Sequence, residues 1–328
     1  MIITKTPLRM SYVGGGSDMP SFYKEHGGAV ISSAIKVFVY VLVKDRFEKG
    51  IRLSYSKTEN VIQATDIEHP IVRNALELIS IKDDIEIISI ADIPSFGTGL
   101  GSSSSFSVGL INALSTFQNI DINIDRAHLA ESACHLEIDL CGSPIGKQDQ
   151  YAASYGGLKV YRFNHDDTVS VEDVMVKPEI ENKINEETIA FYIGGARDAN
   201  VILAEQQNEL KIKEKINSMK KMVGLVDDLK REFEGNSIEN FGPILHENWL
   251  LKRGMSKDIA NPYIDDLYEV ARSCGVKGGK LLGAGGGGFM IFHAPTEAIR
   301  LAVREKFKDL KEVNFNIEHS GSRVLEIN

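Results

Sequence analysis

Residues 94–105 of the chain read Pro94-Ser95-Phe96-Gly97-Thr98-Gly99-Leu100-Gly101-Ser102-Ser103-Ser104-Ser105. They follow an isoleucine-rich segment, Ile85 to Ile90, and precede an apolar-periodic segment that reaches Phe117. This order predicts a strand, a glycine loop and a helix that begins near Ser104. The first N–H groups of a helix lack intrahelical partners and carry the positive end of the helix dipole, so the loop is typical of a phosphate-binding site. A capped helix after a flexible loop is the alternative.

Two well-known nucleotide-binding motifs do not describe the glycines of this chain. No Lys-[Ser/Thr] pair follows the glycines of residues 97–101, so the loop is not a Walker A motif. A second cluster, Gly283 to Gly288, has the spacing G-x-G-x-x-G, but it precedes the apolar segment Phe289 to Phe292 instead of opening a helix. A nicotinamide dehydrogenase is therefore disfavoured. The second cluster either approaches a ligand from the second half of the chain or forms a hairpin turn.

The composition is that of an ordinary globular protein. The 328 residues include 43% hydrophobic and 25% charged residues, and 37 Lys and Arg against 46 Asp and Glu give a net charge of −9. An acidic chain argues against nucleic-acid binding, although a local group of cations can still bind an anionic substrate. The apolar run Val37 to Val43 is too short to span a membrane, and the N-terminus lacks a signal-peptide pattern. Three cysteines without a C-x-x-C pair indicate neither a disulfide framework nor a zinc site, and a cytoplasmic protein is expected.

The hydrophobic pattern predicts two domains, residues 1–170 and 171–328, joined through an acidic segment, Tyr161 to Lys183, of strand edges. In the first half, strands alternate with helices at Val37 to Val43, Ile51 to Tyr55, Ile85 to Ile90, Ser104 to Phe117 and Arg126 to Leu140. In the second half, a small sheet covered by helices is expected. Its elements are a strand from Thr188 to Ile193, helices at Ile212 to Gly235, Asn240 to Arg253, Pro262 to Cys274 and Thr296 to Leu310, and strands at Phe289 to His293, Val313 to Ile317 and Arg323 to Ile327.

The helix predicted from Arg126 to Leu140 has a charged residue, Glu137, on its apolar face. Its polar residues His128, Glu131, Ser132, His135 and Asp139 share one face, which predicts contact with water. Glu137 points to the opposite face, among small residues. Because an unpaired charge is costly to bury, Glu137 needs a partner, either in a salt bridge or as a ligand of a phosphate-bound Mg²⁺.

Two further segments carry candidate catalytic residues. The run Gly146-Lys147-Gln148-Asp149-Gln150-Tyr151 places an Asp beside a glycine turn and a Lys, so Asp149 is either a turn residue or a base that deprotonates an attacking hydroxyl. Near the N-terminus, Arg9 and Asp18 flank a triple glycine, and an Arg there suits a phosphate or a developing alkoxide.

Three segments together resemble the motifs of the GHMP kinases, a family that includes galactokinase, homoserine kinase, mevalonate kinase and phosphomevalonate kinase. Thr6 to Asp18 resembles the substrate-side first motif, Pro94 to Ser105 the ATP-phosphate loop, and Lys280 to Gly288 the third motif. The resemblance implies an α+β fold of two domains, an N-terminal ribosomal-S5-like α/β domain and a C-terminal ferredoxin-like domain. It also implies ATP in the cleft between them, with Mg²⁺ as cofactor.

The same resemblance implies roles for individual residues. Asp149 would be the catalytic base and Arg9 the cation near the reacting hydroxyl, while Ser103 and Glu137 would hold Mg²⁺. The implied ATP-binding residues are Gly97, Gly99, Leu100, Gly101, Ser102, Ser103 and Ser104. The spacing from Pro144 to Asp149 is one residue longer than in the mevalonate kinase form and is closer to the galactokinase form.

Within the family, the triple glycine, the run Gly146 to Tyr151 and Arg197 resemble the kinases of D-glycero-α-D-manno-heptose 7-phosphate. This resemblance implies phosphorylation of an anomeric hydroxyl to give the 1,7-bisphosphate, for nucleotide-activated heptose and surface polysaccharide. The residues assigned to the sugar phosphate are Gly15, Gly16, Ser17, Asp18, Lys147, Arg197, Gly285 and Gly286. A fucokinase-like or another sugar 1-kinase is the alternative, and a phosphate-sensing binding protein is a rival that Glu137 and Asp149 disfavour. The expected partners are ATP and a sugar phosphate, without nucleic acid or membrane, and a homodimer is left open.

Overall fold

Two β-sheets form the framework of the protein in the computed structural model, which describes residues 1–325 apart from 82–83, 95–96, 121–124, 196–198 and 211. The strands of the first sheet are β1 (Ile2–Val13), β2 (Gly28–Asp45), β3 (Ile51–Ser54), β4 (Thr58–Val61), β5 (Ile85–Ala91), β6 (Leu158–Phe163), β7 (Val169–Asp173) and β12 (Arg323–Leu325). The strands of the second sheet are β8 (Thr188–Gly194), β9 (Gly278–Leu281), β10 (Gly288–His293) and β11 (Lys311–Val313). The first sheet therefore takes its strands from both ends of the chain.

Helices cover these sheets. Within the described residues they are α1 (Pro20–His26), α2 (Pro70–Leu78), α3 (Ser102–Phe117), α4 (Arg126–Cys134), α5 (Gln148–Tyr155), α6 (Pro178–Glu187), α7 (Ala199–Glu209), α8 (Lys213–Glu234), α9 (Phe241–Arg253), α10 (Pro262–Ser273) and α11 (Glu297–Lys306). We find none among them that combines the length and the apolar character of a membrane span.

The long strand β2 is the centre of the first sheet. It pairs with β1 along most of its length, with β6 at its first six residues and with β5 from Val39 to Asp45, all antiparallel. The β1–β2 register shifts between Pro7 and Leu8, where proline lacks the N–H that a regular ladder needs. Such an irregularity changes the direction of the next side chains, and here it directly precedes Arg9.

The second sheet has the strand order β11-β8-β10-β9, and all its pairs are antiparallel. Along the chain, helices α7–α10 separate β8 from β9, β10 follows β9 directly, and α11 precedes β11. This β-α-β-β-α-β order is that of a ferredoxin-like domain. The predicted two-domain α+β fold is confirmed, whereas the division at residue 170, which falls inside β7, stays a prediction.

Most predicted elements are present, but four bounds or placements were wrong. The segment Tyr161 to Lys183, predicted as strand edges, also contains the start of helix α6 at Pro178. The strand predicted at Val37 to Val43 lies inside β2, which begins at Gly28. The strand predicted at Val313 to Ile317 ends at Val313, and only a single bridge between Ile317 and Ile35 follows. The tail strand at Arg323 pairs with β1 in the first sheet and not with the small second sheet. The last three errors concern pairing between distant residues, which local pattern does not encode.

Packing of second-half helices on the first sheet fixes the cleft between the halves. The ring of Tyr12 on β1 lies edge-on to Phe233 at the end of α8 and to Phe241 at the start of α9, with centroids 6.4 and 5.6 Å apart. All three rings are buried. Since α9 also packs on β9, this contact holds the start of α9 against the N-terminal strand that carries Arg9.

Candidate active site

A cavity of about 280 Å³ lies where the two halves meet. Its walls come from β1 and the loop after it, the serine–glycine loop before α3, the segment around Asp149, the end of α9 and the glycine stretch after β9. Among the predicted site residues, it brings together Arg9, Gly15, Gly16, Asp18, Gly97, Gly99, Gly101, Ser102, Ser103, Ser104, Glu137 and Asp149.

The N-terminus of α3 forms one wall of this cavity. Gly99 and Gly101 adopt left-handed conformations, with φ of 74° and 72°, which only glycine enters without strain. Within the described chain, no side chain caps the helix, so the first-turn N–H groups have no intrahelical partner and are available to an anion. A Cβ on Gly99 would lie 2.5 Å from the Leu282 carbonyl oxygen, so this loop packs tightly against the third glycine motif.

Glu137 lies in the cavity wall, 2% exposed, as the hydrophobic pattern predicted. The chain winds as a π-helix from His135 to Leu140, an irregularity that is frequent at functional sites. Glu137 accepts hydrogen bonds from Ser103 Oγ at 3.0 Å and from Gln150 Nε2 at 2.7 Å. Burial raises the pKa of Glu137 to about 7, although hydrogen bonds from Ser104, Gln150 and Ser103 oppose this effect.

These oxygen groups fit a magnesium ion. Mg²⁺ in nucleotide sites takes one or two carboxylates, completes its shell with phosphate and water, and needs no larger protein cage. Glu137 and the Ser103 hydroxyl present such a set beside the α3 N-terminus. Burial disfavours the ionised Glu137 carboxylate when no cation is nearby, and a divalent cation would compensate that charge. Within the described residues, no cluster of three or more His, Cys, Asp or Glu offers a different kind of metal site.

Arg9 and Asp149 form an ion pair at the floor of the cavity. Arg9 donates from Nε to Asp149 Oδ1 at 2.6 Å and from Nη2 to Oδ2 at 2.8 Å, and its Nη1 donates to the Gly99 carbonyl oxygen at 2.6 Å. The Arg9 side chain is 5% exposed and that of Asp149 is 22% exposed. A Cβ on Gly101 would lie 2.9 Å from Asp149 Oδ2. The carboxylate therefore stands beside the phosphate loop and opens to the cavity.

Asp18 forms the opposite wall, next to the triple glycine. It accepts hydrogen bonds from the Gly16 N–H at 3.0 Å and from the N–H and Nε2 of Gln148, both at 3.2 Å. Burial raises the pKa of Asp18 above its usual value, and the negative charge of Asp149 adds to the effect. Gly146 leaves room for this carboxylate, since a Cβ there would lie 1.9 Å from Asp18 Oδ2.

Five predicted residues lie away from the cavity walls in the described structure. Leu100 is buried, and its carbonyl accepts the Arg9 N–H at 3.1 Å, so it supports Arg9 from behind. Ser17 exchanges hydrogen bonds with the Ala29 backbone. Lys147 donates to the Asp167 carbonyl at 2.8 Å because the first turn of α5 directs it away from Asp149.

Gly285 and Gly286 pack against the segment that contains Ile259, and the Gly286 N–H donates to the Ile259 carbonyl at 3.0 Å. They support the third glycine motif, whose Gly283 and Ala284 line the cavity instead. The remaining predicted residue, Arg197, lies outside the described residues.

Two buried lysines, which the sequence analysis did not assign to the site, also line the cavity. Lys252 donates to the Gly283 carbonyl at 2.6 Å, and burial together with the charge of Arg9 lowers the pKa of Lys252 to about 8. Lys280 donates to the carbonyls of Ser11 and Tyr12 at 2.8 and 3.1 Å, and burial, with the charge of Lys252, lowers its pKa well below the usual value. The pattern that could have identified Lys252 from the sequence is its position among the buried residues of α9.

Comparisons with known proteins agree with this arrangement. The family described as "GHMP kinases N terminal domain" matches residues 67–157 and "GHMP kinases C terminal" matches residues 225–309, together more than half of the chain.

D-glycero-alpha-D-manno-heptose 7-phosphate kinase of Campylobacter jejuni is 26% identical over 333 residues, 97% of each chain. Bifunctional fucokinase/GDP-fucose pyrophosphorylase of Arabidopsis thaliana is 24% identical over 95% of this chain and 31% of that protein. The crystal structure of a D-glycero-D-manno-heptose 1-phosphate kinase from Bacteroides thetaiotaomicron superposes over 100% of both chains with a TM-score of 0.81 at 21% identity. The chain belongs to the GHMP kinase family.

Proposed function

We propose that this GHMP kinase transfers the γ-phosphoryl group of ATP to the anomeric hydroxyl of D-glycero-α-D-manno-heptose 7-phosphate, giving the 1,7-bisphosphate. The observation that carries the proposal is the match to the heptose 7-phosphate kinase of Campylobacter jejuni over 97% of both chains. The product would supply nucleotide-activated heptose for surface polysaccharide. A fucokinase-like or another sugar 1-kinase is the second candidate, because a part of a bifunctional fucokinase/GDP-fucose pyrophosphorylase also matches 95% of the chain.

In this proposal the chemistry takes place beside Asp149. Its carboxylate accepts the proton of the attacking hydroxyl, and the two hydrogen bonds from Arg9 hold the carboxylate in one orientation. A carboxylate has about four lone-pair directions, so the pair with Arg9 leaves acceptor capacity for the sugar hydroxyl. The positive charge of Arg9 also stabilises negative charge that develops on the oxygen and the phosphoryl group.

ATP phosphates would bind at the uncapped N-terminus of α3, where backbone N–H groups and the helix dipole favour an anion. Ser103 and Glu137 would hold Mg²⁺ beside these phosphates. When bound, Mg²⁺ neutralises phosphate charge and favours displacement at phosphorus. On the other side of the cavity, Asp18 would accept hydrogen bonds from sugar hydroxyls, because Gly16 and Gln148 fix its position.

The test is ATP consumption by the purified protein with a panel of acceptors. The panel contains heptose 7-phosphate, unphosphorylated heptose, mannose 6-phosphate, fucose, galactose and mevalonate, and the product is analysed for a phosphate at the anomeric carbon. We expect the highest kcat/KM for heptose 7-phosphate. Preference for fucose or another plain sugar would support the second candidate, and activity with mevalonate alone would refute both.

A further inference from the structure

Lys252 is a buried cation without a counter-charge. It is 5% exposed, it lies near the end of α9 on the side that faces the cavity, and its ammonium donates to the Gly283 carbonyl. An ammonium has three N–H donors, so two remain for other partners. Within the described part of the chain, no Asp or Glu forms a salt bridge with Lys252, whereas Arg9 is neutralised by Asp149.

Lys252 and Arg9 lie on either side of one junction. Arg9 donates to the carbonyl of Gly99 and Lys252 donates to that of Gly283, and these two glycines touch, since a Cβ on Gly283 would lie 2.4 Å from Gly99 Cα. Gly99 belongs to the phosphate loop. The two cations therefore flank the point where that loop meets the second half of the molecule.

Burial of a charge without a counter-charge is unfavourable, so an anionic ligand beside such a group would stabilise its charged form. The charged groups that face Lys252 are Arg9 on β1, Asp18 after β1, Asp149 on α5 and Lys280 on β9. Asp149 is paired with Arg9, and burial raises the pKa of Asp18, so its charged form is disfavoured. Lys252 therefore lacks a salt-bridge partner among the described residues, and an anion bound in the cavity would supply one.

We propose that Lys252 is a further catalytic residue, whose ammonium binds the phosphoryl group during transfer from the side of Gly283 while Arg9 acts from the side of Gly99. In the step, the bond from the γ-phosphorus to the β–γ bridging oxygen breaks, and a bond from the acceptor oxygen to phosphorus forms. The acceptor proton passes to Asp149, ADP leaves with the bridging oxygen, and Lys252 stays protonated. The proposal rests on phosphoryl transfer by a GHMP kinase but not on heptose as the acceptor.

The position of Lys252 favours the transferred group over a phosphate carried by the acceptor. In heptose 7-phosphate the reacting hydroxyl and the phosphate lie at opposite ends of the carbon chain. Because Lys252 lies near the proposed base and its arginine, the reacting end is the one within its reach. A phosphate at the far end would need cations elsewhere.

The decisive variant is Lys252→Met, which keeps the length of the side chain and removes the charge. We expect kcat to fall by ~10²-fold to 10³-fold, the usual effect of losing one donor to a developing anion. The fall should be equal with heptose 7-phosphate, plain heptose and water as acceptors. Lys252→Arg restores a cation and should recover at least ~10-fold of the loss. The matched control is Lys215→Met, which removes an ammonium that also donates to a backbone carbonyl, that of Gly254, outside the cavity.

A pH profile separates this role from a structural one. The kcat/KM for ATP reports groups of the free enzyme, so the wild type should lose activity above about pH 8, where Lys252 deprotonates. This basic limb should disappear in Lys252→Arg, whose guanidinium stays charged. The measurement uses the wild type and the Arg variant, so it stands even if the Met variant does not fold.

Three results would overturn the inference. The first is a Lys252→Met turnover close to that of the control variant, and the second is a basic limb that Lys252→Arg retains. The third is a loss confined to phosphorylated acceptors, which would make Lys252 a site for the acceptor's own phosphate. If heptose is not phosphorylated at all, the proposed function fails, but the effect of Lys252 on ATP hydrolysis and on any other acceptor still decides the inference.

Discussion

Replacing Lys252 by Met is expected to stabilise the unliganded protein. The ammonium is buried against the Gly283 carbonyl and close to the charge of Arg9, and both burial and this charge disfavour its protonated form. Met has a similar length and is apolar, so it can occupy the same space without a charge. A substitution that slows catalysis would therefore raise stability, as is common where an active site retains strained or unpaired groups.

The magnitude follows from the pKa of Lys252. Its fall from 10.5 to about 8 on folding corresponds, at about 1.4 kcal/mol per pKa unit, to about 3 kcal/mol of lost stability at neutral pH. Loss of the hydrogen bond to the Gly283 carbonyl lowers the stability of the Met variant by about 1 kcal/mol. The cost is no larger because water in the cavity can donate to that carbonyl instead. We expect a net gain of about 2 kcal/mol for Lys252→Met.

The gain has a definite pH dependence. Between pH 8 and 10.5 the unfolded chain binds a proton at Lys252 that the folded chain does not, so wild-type stability rises with pH in this window. The advantage of the Met variant should be full at pH 7 and should shrink by about 2 kcal/mol by pH 9.5. Below pH 8 both states are protonated and the advantage stays constant.

Urea unfolding at pH 7 and pH 9.5, without nucleotide, measures both effects. The control is Lys215→Met, a substitution at a partly exposed site, for which a change within about ±0.5 kcal/mol is expected at either pH. A Met variant that is less stable than the wild type at pH 7 would refute the reasoning, because the ammonium would then stabilise the fold. So would a gain that is the same at both pH values, because Lys252 would then not titrate as burial requires.

The remaining predictions concern three other groups of the cavity. Glu137→Gln should raise the Mg²⁺ concentration for half-maximal rate by ~10-fold, and Ser103→Ala should act in the same direction; a lower melting temperature with unchanged Mg²⁺ dependence would identify a structural role. Asp149→Asn should lower kcat by ~10²-fold or more while the Kd for ATP stays the same, and near-normal turnover would exclude it as the base. Gly146→Ala places a Cβ 1.9 Å from Asp18 Oδ2 and should weaken sugar binding by ~10-fold in calorimetry without affecting ATP, whereas unchanged sugar affinity would remove Asp18 from the sugar site.

The local sequence pattern was enough to predict the part of the site that is formed by β5, the glycine loop and the start of α3, which follow one another in the chain. The isoleucine strand, the glycines and the serines that open α3 appear in the structure where the sequence predicts them, because strand period, turn residues and helix start are local properties. Glu137 was found in the same way, since a charge on the apolar face of a helix is visible without any knowledge of the fold.

The parts that depend on distant residues were not predictable in the same way. The partners of β1 include β12, more than 300 positions away, so neither the tail's sheet nor the length of β2 follows from its own residues. Lys147 shows a subtler limit. It is close to Asp149 in sequence, but neighbouring residues at the start of α5 point in different directions, and Lys147 lies over the ring of Tyr23 instead.

Lys252 was within reach of sequence reasoning. It follows Leu245, Asn248 and Trp249 at helical spacing, and these four residues form the buried stripe of α9. A lysine on such a stripe is the same signal as Glu137 on the apolar face of the helix predicted from Arg126 to Leu140. No glycine loop or turn lies beside Lys252 in the sequence, so the pattern did not indicate where Lys252 lies relative to the phosphate loop. The packing of α9 on β1 and β9 shows that position.

The cavity places buried cations inside an acidic chain, and this combination has a physical consequence for its ligands. Charges on the surface are screened over about 8 Å at physiological ionic strength, so most of the net charge of −9 acts weakly inside the cleft. Arg9, Lys252 and Lys280 are buried and screened much less. Lys252 and Lys280 are held by carbonyl oxygens and, within the described residues, not by carboxylates, so a bound anion would favour their protonated forms. The buried cations therefore favour an anionic ligand in this cavity although the protein as a whole repels it.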